Sequence, residues 1–384
     1  MIPNQRHLFD MPDDIAYLNC AYMSPLMHKV QDAGNRAIAQ KGRPWTITPV
    51  DFFTTSERAR GLFARLIGAA ADDIAIIPSV SYGITLAAAN LPLAAGSHVL
   101  CLEEQFPSNI YPWLRRAEAE GAELRLIRRA DAQREGHTDW TGALLDAIDE
   151  RTAIVAVPNC HWTDGALIDV EALGRKARAH GAALVLDITQ SGGVLPIDVA
   201  AVRPDFLICA TYKWLLGPYA MGFAYAAPQW QQGRPVEEGW ITRAGSENFA
   251  RLVDYQDDYQ PGARRFDMGE RSNFQLMPMV ETALAQIHEW GVANIQTTLA
   301  GITAEIESRT APLGLTAPPT HLRAGHYLGL SFGGPPPENL LAELAAEHIY
   351  ASIRGDSMRV TPHLYNNAHD IDRLISALER TLGR

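Results

Sequence analysis

The sequence predicts an α/β fold: a large, mostly parallel seven-stranded sheet sandwiched by helices, followed by a smaller α+β unit. Three observations carry this. Between about Ala69 and Ala226, short apolar runs alternate with helical stretches. The runs are nearly all apolar, as in strands buried on both faces of a mostly parallel sheet. After about residue 230 the texture changes to a polar, Gly-, Arg- and Asp-rich stretch and then to helices and short strands.

In chain order, the strand runs are DIAIIPS (73–79), HVLCLEE (98–104), ELRLIRR (123–129), TAIVAVPN (152–159), ALVLDIT (183–189), FLICATY (206–212) and GFAYAA (222–227). The helical stretches between them are SYGITLAAANL (81–91), NIYPWLRRAEAEG (109–121), WTGALLDAID (140–149), IDVEALGRKARAHG (168–181) and the short VAAVRP (199–204). The fourth carries Arg175, Lys176 and Arg178 in its last half and Gly181 after it, where cations meet the helix dipole and a glycine caps it. Beyond the irregular 231–265 come helices around 277–290 and 293–313. The last sixty residues read strand, helix (338–348), strand, helix (368–382). The expected division is a large domain over 1–260 and a small domain over 261–384.

The 33 basic and 44 acidic residues leave a net charge of −11, the wrong sign for nucleic acid or an anionic membrane surface. The longest segment without Lys, Arg, Asp or Glu, 74–102, is broken by Pro78, Gly83, Asn90, Pro92 and Gly96. It reads as a strand and a buried helix, not a membrane span. Cys20, Cys101, Cys160 and Cys209 form no CxxC pair, which argues against zinc and disulfides and fits a reducing cytoplasm. The N-terminal MIPNQRHLFDMPDD lacks the apolar stretch of a secretory signal.

Chemistry is expected at the strand C-termini. Asp187 ends a buried strand, where a carboxylate is costly unless a cation or strong donor meets it. Lys213 follows the next strand between Tyr212 and Trp214, surroundings that disfavour its ammonium form and make it a nucleophile. Separately, a helix cap and a solvent-reaching lysine explain them as well. Together, 26 residues apart on successive strand ends, they match what pyridoxal 5′-phosphate requires: a Schiff-base lysine and a carboxylate that keeps the pyridine nitrogen protonated. The turn Ser79-Val80-Ser81-Tyr82-Gly83, opening a helix, offers the phosphate a cradle.

TYKWLLGPYAMGF, DITQSGG and the tail SIRGDSMRVTPHLYNNAHDIDRLISAL resemble the class V, fold-type I pyridoxal-phosphate enzymes: aminotransferases, cysteine desulfurases, kynureninases and isopenicillin N epimerase-like proteins. The resemblance runs from Tyr17 almost to the C-terminus. It implies Lys213 as the Schiff-base lysine and Asp187 as the pyridine partner. Gln190 then contacts the ring oxygen or phosphate, and Tyr212, Ser81 and the backbone of Tyr82 bind the phosphate. EEQFPSNIYPW resembles the kynureninase pattern, with Phe106 stacking on the ring and Asn109 in place of an acid. His161 and Trp162 fall on the loop flanking ring oxygen and substrate, and Trp240 resembles a kynureninase tryptophan near the phosphate. Ser272, in GERSNF, stands where relatives send a turn across the dimer to the partner's phosphate, which implies a homodimer with shared active sites. Arg359 matches the arginine that forks the substrate α-carboxylate, with Arg354 as the other candidate.

Relay desulfurases of this group need a persulfide-accepting cysteine just before that arginine. EHIYASIRGDSMR contains none. The expected reaction is therefore Cα-proton loss from an α-amino acid to Lys213, ending in transamination or a lyase outcome without a cysteine relay. Kynureninase-like hydrolysis and epimerisation are the alternatives, and a non-catalytic pyridoxal-phosphate-binding regulator is the alternative of another class. A nicotinamide site is not expected, since no GxGxxG follows the early strands.

Overall fold

The computed structural model of the chain describes residues 1–134 and 136–383. All seven apolar runs form strands of one sheet, in the order Ile74–Ile77, Gly222–Ala226, Phe206–Ala210, Ala183–Asp187, Thr152–Pro158, His98–Leu102, Glu123–Ile127. Neighbours from Phe206–Ala210 to Glu123–Ile127 pair parallel; Gly222–Ala226 runs antiparallel to both of its neighbours. The edge strand Glu123–Ile127 is largely solvated, with only Ile127 buried, as an edge strand can be.

Side-chain alternation divides the sheet between two cores. Ile77, Val99, Cys101, Ile154 and Ala156 point to one face, covered by the helices Val80–Asn90 and Tyr111–Glu120. Ile76, Leu100, Leu102, Val155 and Val157 point to the other, covered by Trp140–Ala147, Val170–Ala179 and the pair Asp51–Leu66 and Met277–Trp290. Gly83 lets the first of these helices sit close: a Cβ there would meet Ile208 and Ile77 side chains at 2.8 Å. A third core holds Leu18, Ile306, Leu328, Leu344, Val360 and Leu378. It lies between the three-stranded antiparallel sheet of Leu328–Ser331, Ser357–Val360 and Ser352–Arg354 and the helices Leu340–Ala346 and Ala368–Leu382. The helix Val292–Thr310 joins the cores, with Ile295 and Leu299 in the large one and Ile306 in the small one. Among the described residues no helix is long and apolar enough to cross a membrane.

Strand order turns this architecture into a site. From His98–Leu102 the chain builds outward to the edge; from Thr152–Pro158 it builds in the opposite direction. Loops leaving the strand C-termini around that switch diverge and open a crevice.

Candidate active site

The crevice is a cavity of about 400 Å³ walled by the segments 78–81, 105–109, 158–162, 187–190, 210–213 and 219–221. Each directly follows or ends a sheet strand, apart from 219–221, which enters one. Asp187 is the last residue of its strand, paired in register with Pro158 and Ile208. Thr189 N donates to its Oδ1 at 3.0 Å, and among the described residues no arginine or lysine lies within ion-pair distance. Burial raises this carboxyl above the usual range, against the opposing pull of Thr189 and the Lys213 charge. An acid held there awaits a cation.

Lys213 is buried, 6% exposed, on the tight 211–221 loop. Thr211 Oγ1 donates to Pro218 O at 2.6 Å, and Leu216 turns at φ +54°. Its Nζ lies 5.4 Å from the Phe106 ring centroid and 5.5 Å from that of Tyr212, with no hydrogen-bond acceptor among the described residues. Burial lowers its pKa to about 8; Asp187 works against that fall, while Arg359 and Arg354 add to it. An amine and an acid, both dry, thus face one cavity whose mouth carries aromatic rings.

A profile of the family described as aminotransferase class-V matches residues 39–374. The chain belongs to that family. It is 25% identical over 382 residues to the uncharacterized aminotransferase YcbU of Bacillus subtilis (strain 168), covering 93% of this chain and 91% of that protein. It is 26% identical over 361 residues to a probable cysteine desulfurase of Methanothermobacter thermautotrophicus, covering 85% and 84%. In fold it matches the cystine C–S lyase C-DES, solved as a Lys→Ala mutant with glycine linked to its pyridoxal-phosphate cofactor. That match has a TM-score of 0.84 at 17% identity and covers 97% of this chain and 98% of that one. The protein is a pyridoxal 5′-phosphate-dependent enzyme of the transferase and lyase kind.

The residues present fit the cofactor. Asn109 Nδ2 is buried beside the cavity with no partner, while its Oδ1 accepts from Trp113 Nε1 at 3.1 Å. Ser79 caps the helix Val80–Asn90, accepting from Tyr82 N at 3.2 Å, and Ser81 Oγ stands 2.9 Å from Ser79 Oγ. That leaves an eleven-residue helix with its positive end and two hydroxyls at the cavity wall. Phe106 and Trp162 meet edge to face at 5.3 Å across the opening.

Of the residues singled out from sequence, the structure brings Ser81, Phe106, Asn109, Trp162, Asp187, Gln190, Tyr212 and Lys213 to this cavity. It places five elsewhere. Tyr82 lies in the first turn of the helix, its backbone N–H donating to Ser79 Oγ at 3.2 Å and its hydroxyl buried without a partner among the described residues. His161 is fully buried, stacked 5.4 Å from Trp140, with Nδ1 2.8 Å from Thr163 Oγ1 and Nε2 3.4 Å from Glu103 O. Both nitrogens are committed to the loop. Trp240 sits over a separate depression beside Phe52 and Phe249, at 6.0 and 5.3 Å. Ser272 Oγ donates to Phe52 O at 2.7 Å, away from the cavity. Arg359, 1% exposed, packs against Trp162: Nε donates to Ser352 Oγ at 2.9 Å, Nη1 to Trp162 O at 3.2 Å, and Nη2 is buried without a partner.

Gln190 reaches the cavity wall, but its amide is spent on the protein. Oε1 accepts from Trp214 Nε1 at 3.0 Å and Nε2 donates to Ala21 O at 3.2 Å. It ties the loop carrying Asp187 to the loop carrying Lys213. Thr189 adds a second tie, its Oγ1 accepting from Ala210 N at 3.2 Å. The sequence signal for Thr189 was its place directly after the Asp187 strand. Gln105, Ser108 and Tyr219 also line the cavity; they lie inside the motifs EEQFPSNIYPW and TYKWLLGPYAMGF but were not singled out within them.

The depressed lysine gives an expected result. Only the neutral amine attacks an aldehyde, so cofactor-free protein should take up pyridoxal phosphate faster as pH rises. The rate should climb about tenfold per pH unit and level off near pH 8, well below the plateau of an ordinary lysine. Stopped-flow absorbance measures this; a rate still rising steeply above pH 9.5 contradicts the assignment.

Proposed function

We propose that the protein removes the Cα proton of an α-amino acid with Lys213 and carries the reaction on to amino-group transfer. The observation that carries this reading is Lys213 itself: the one amine at the cavity among the described residues, buried, without an acceptor and with its pKa lowered to about 8. Pyridoxal phosphate, when bound, supplies the electron sink that acidifies the Cα–H bond. Lys213 Nζ would hold the cofactor covalently and, in the presence of substrate, would be the base that takes the Cα proton and returns it. Asp187 would keep the ring nitrogen charged, Phe106 is the aromatic ring that would pack against the cofactor, and Ser79, Ser81 and the helix N-terminus would hold its phosphate. Asn109 Nδ2 donates toward cofactor or substrate. Arg359 Nη2 takes the α-carboxylate, and the small-domain core and Ser352 fix its guanidinium.

Asp187 is the one carboxylate at the cavity among the described residues, and no histidine lines it. That counts against epimerisation, which needs a second acid/base on the opposite face. A second reading, elimination at Cβ, uses the same single base. All four cysteines are buried, and burial pushes each thiol up, so such an elimination would release its product without a protein-bound persulfide. A homodimer belongs to this reading too. Trp240 and Ser272 stand away from this chain's own cavity, as a contribution to a partner's site requires. A reducing compartment suits the four unpaired thiols.

The test is a panel of amino acids with an α-keto acid acceptor, assaying amino transfer, sulfide, alanine and inverted stereochemistry. Amino transfer supports the first reading and sulfide the second; inversion alone overturns both. Arg359→Lys should raise KM for amino acids about tenfold or more and lower kcat, because an ammonium cannot replace a two-pronged fork. Cofactor content should stay normal, and amines lacking a carboxylate should be unaffected. Unchanged amino-acid kinetics in this variant remove Arg359 from the substrate site.

A further inference from the structure

A second arginine stands beside the first, with no carboxylate within ion-pair distance among the described residues. Ser352–Arg354 and Ser357–Val360 pair antiparallel, with Ser352 opposite Arg359. Arg359 reaches back to Ser352 Oγ, and Arg354 is two residues beyond Ser352, hence on the same face. Diagonal neighbours on a strand pair stand roughly 7–8 Å apart. The two guanidinium carbons lie 5.7 Å (Arg354) and 5.8 Å (Arg359) from the Trp162 ring centroid. Trp162 in turn lines the cavity.

Among the described residues neither arginine has a carboxylate within ion-pair distance. Three acids among the described residues line the cleft of about 400 Å³ that Arg354 also lines: Glu104, Asp164 and Asp356. The first two are already used, bound by Arg129 at 2.8 and 2.7 Å, and Asp356 at the hairpin tip makes no ion pair with either arginine. Arg354 makes one hydrogen bond, to Ile353 O at 2.7 Å, and is half-buried. In a chain of net charge −11, two adjacent uncompensated cations at the substrate end form a built anion site. A single α-carboxylate neutralises one of them.

We propose that Arg354 and Arg359 together select an α-amino acid bearing a second carboxylate on its side chain. Arg359 takes the α-carboxylate and Arg354 the distal one. This rests on the α-amino-acid reading above. Trp162, packed against both guanidinium groups, is the spacer that sets the distance between the two anions.

The experiment is calorimetric titration of the holoenzyme with glutarate and with butyrate, which share a chain scaffold but differ by one carboxylate. Wild type should bind glutarate about tenfold or more tighter than butyrate. Arg354→Gln should erase that preference and change butyrate binding less than twofold, whereas Arg359→Gln should weaken both ligands. Arg354→Lys, which keeps the charge, should restore part of the preference at low salt. Equal affinities for the two ligands in wild type, or an undiminished preference in Arg354→Gln, overturn the proposal. Steady-state assays separate this from the parent reading. Turnover of alanine and glutamate with equal kcat/KM, both unaffected by Arg354→Gln, overturns the fork and leaves the enzyme reading standing. Glutarate preference without turnover of any amino acid supports the fork and overturns the enzyme reading.

Discussion

Lys213→Ala should remove covalent cofactor attachment and lower turnover by at least about 10²–10⁴-fold, the range supplied by a positioned acid or base. The physical reason is position as much as chemistry. Nζ reaches the cavity from a loop fixed by Thr211, Leu216 and the buried Trp214, and among the described residues no other lysine lines that wall. An added amine such as methylamine should restore part of the rate, since it replaces the base but not its orientation. The fold should persist, because an unpaired buried amine contributes little to stability and removing it spares a desolvation cost. Spectroscopy of the bound cofactor and steady-state rates with and without methylamine measure this. Rates within tenfold of wild type would remove Lys213 from the reaction.

Asp187→Ala carries the second largest expected effect, and its sign differs between the two states of the protein. Bound cofactor loses a charge-assisted hydrogen bond of about 1.5–3 kcal/mol, so affinity should fall roughly 10- to 150-fold. Turnover should fall further, because an unprotonated ring is a poor electron sink. Cofactor-free protein should be unchanged or more stable, because Asp187 is a buried carboxyl with Thr189 as its hydrogen-bond donor and no ion-pair partner. Thermal unfolding with and without cofactor reads both halves. Loss of stability without cofactor would mean that Asp187 holds the fold rather than the ring.

What was legible in the sequence, and what was not, follows physical lines. Six of the seven strand runs were legible because burial on both faces leaves a nearly unbroken apolar signature; the edge run Glu123–Ile127 keeps only Leu124, Leu126 and Ile127 and was legible from the helices on either side of it. Strand direction leaves no signature, and Gly222–Ala226 runs antiparallel without any change in composition. The helices His28–Lys41 and Asp51–Leu66 escaped because their buried stripes mix small or polar side chains with apolar ones: Ala33, Gly34 and Ala37 in the first, Ser56, Arg60 and Phe63 in the second. In the tail, the hairpin of Ser352–Arg354 and Ser357–Val360 turns at Gly355, too short to interrupt the pattern of one strand. The passage between cores was hidden as well, since Val292–Thr310 is one continuous helix that changes core part-way.

At the site, Asp187 and Lys213 were legible because a charge at the end of a buried strand needs a reason. His161 looked similar, but Trp140 and Thr163, distant or inconspicuous in sequence, supply its reason without a ligand. Gln190 was placed on the right wall, yet its partner Trp214 could only be found once two loops met in space. Arg359 was marked by the tail motif; that it shares a strand-pair face with Arg354 needed the hairpin register.

Transfer of the Cα proton of an amino acid to Lys213 is common to both proposed outcomes, and isotope exchange reads that step whatever product follows. Holoenzyme in D₂O with each amino acid of the panel, followed by proton NMR at Cα, should show loss of the Cα–H signal for at least one substrate. Lys213→Ala should leave that signal intact over the same period. Retention of Cα–H with every amino acid, or undiminished exchange in Lys213→Ala, would contradict the account.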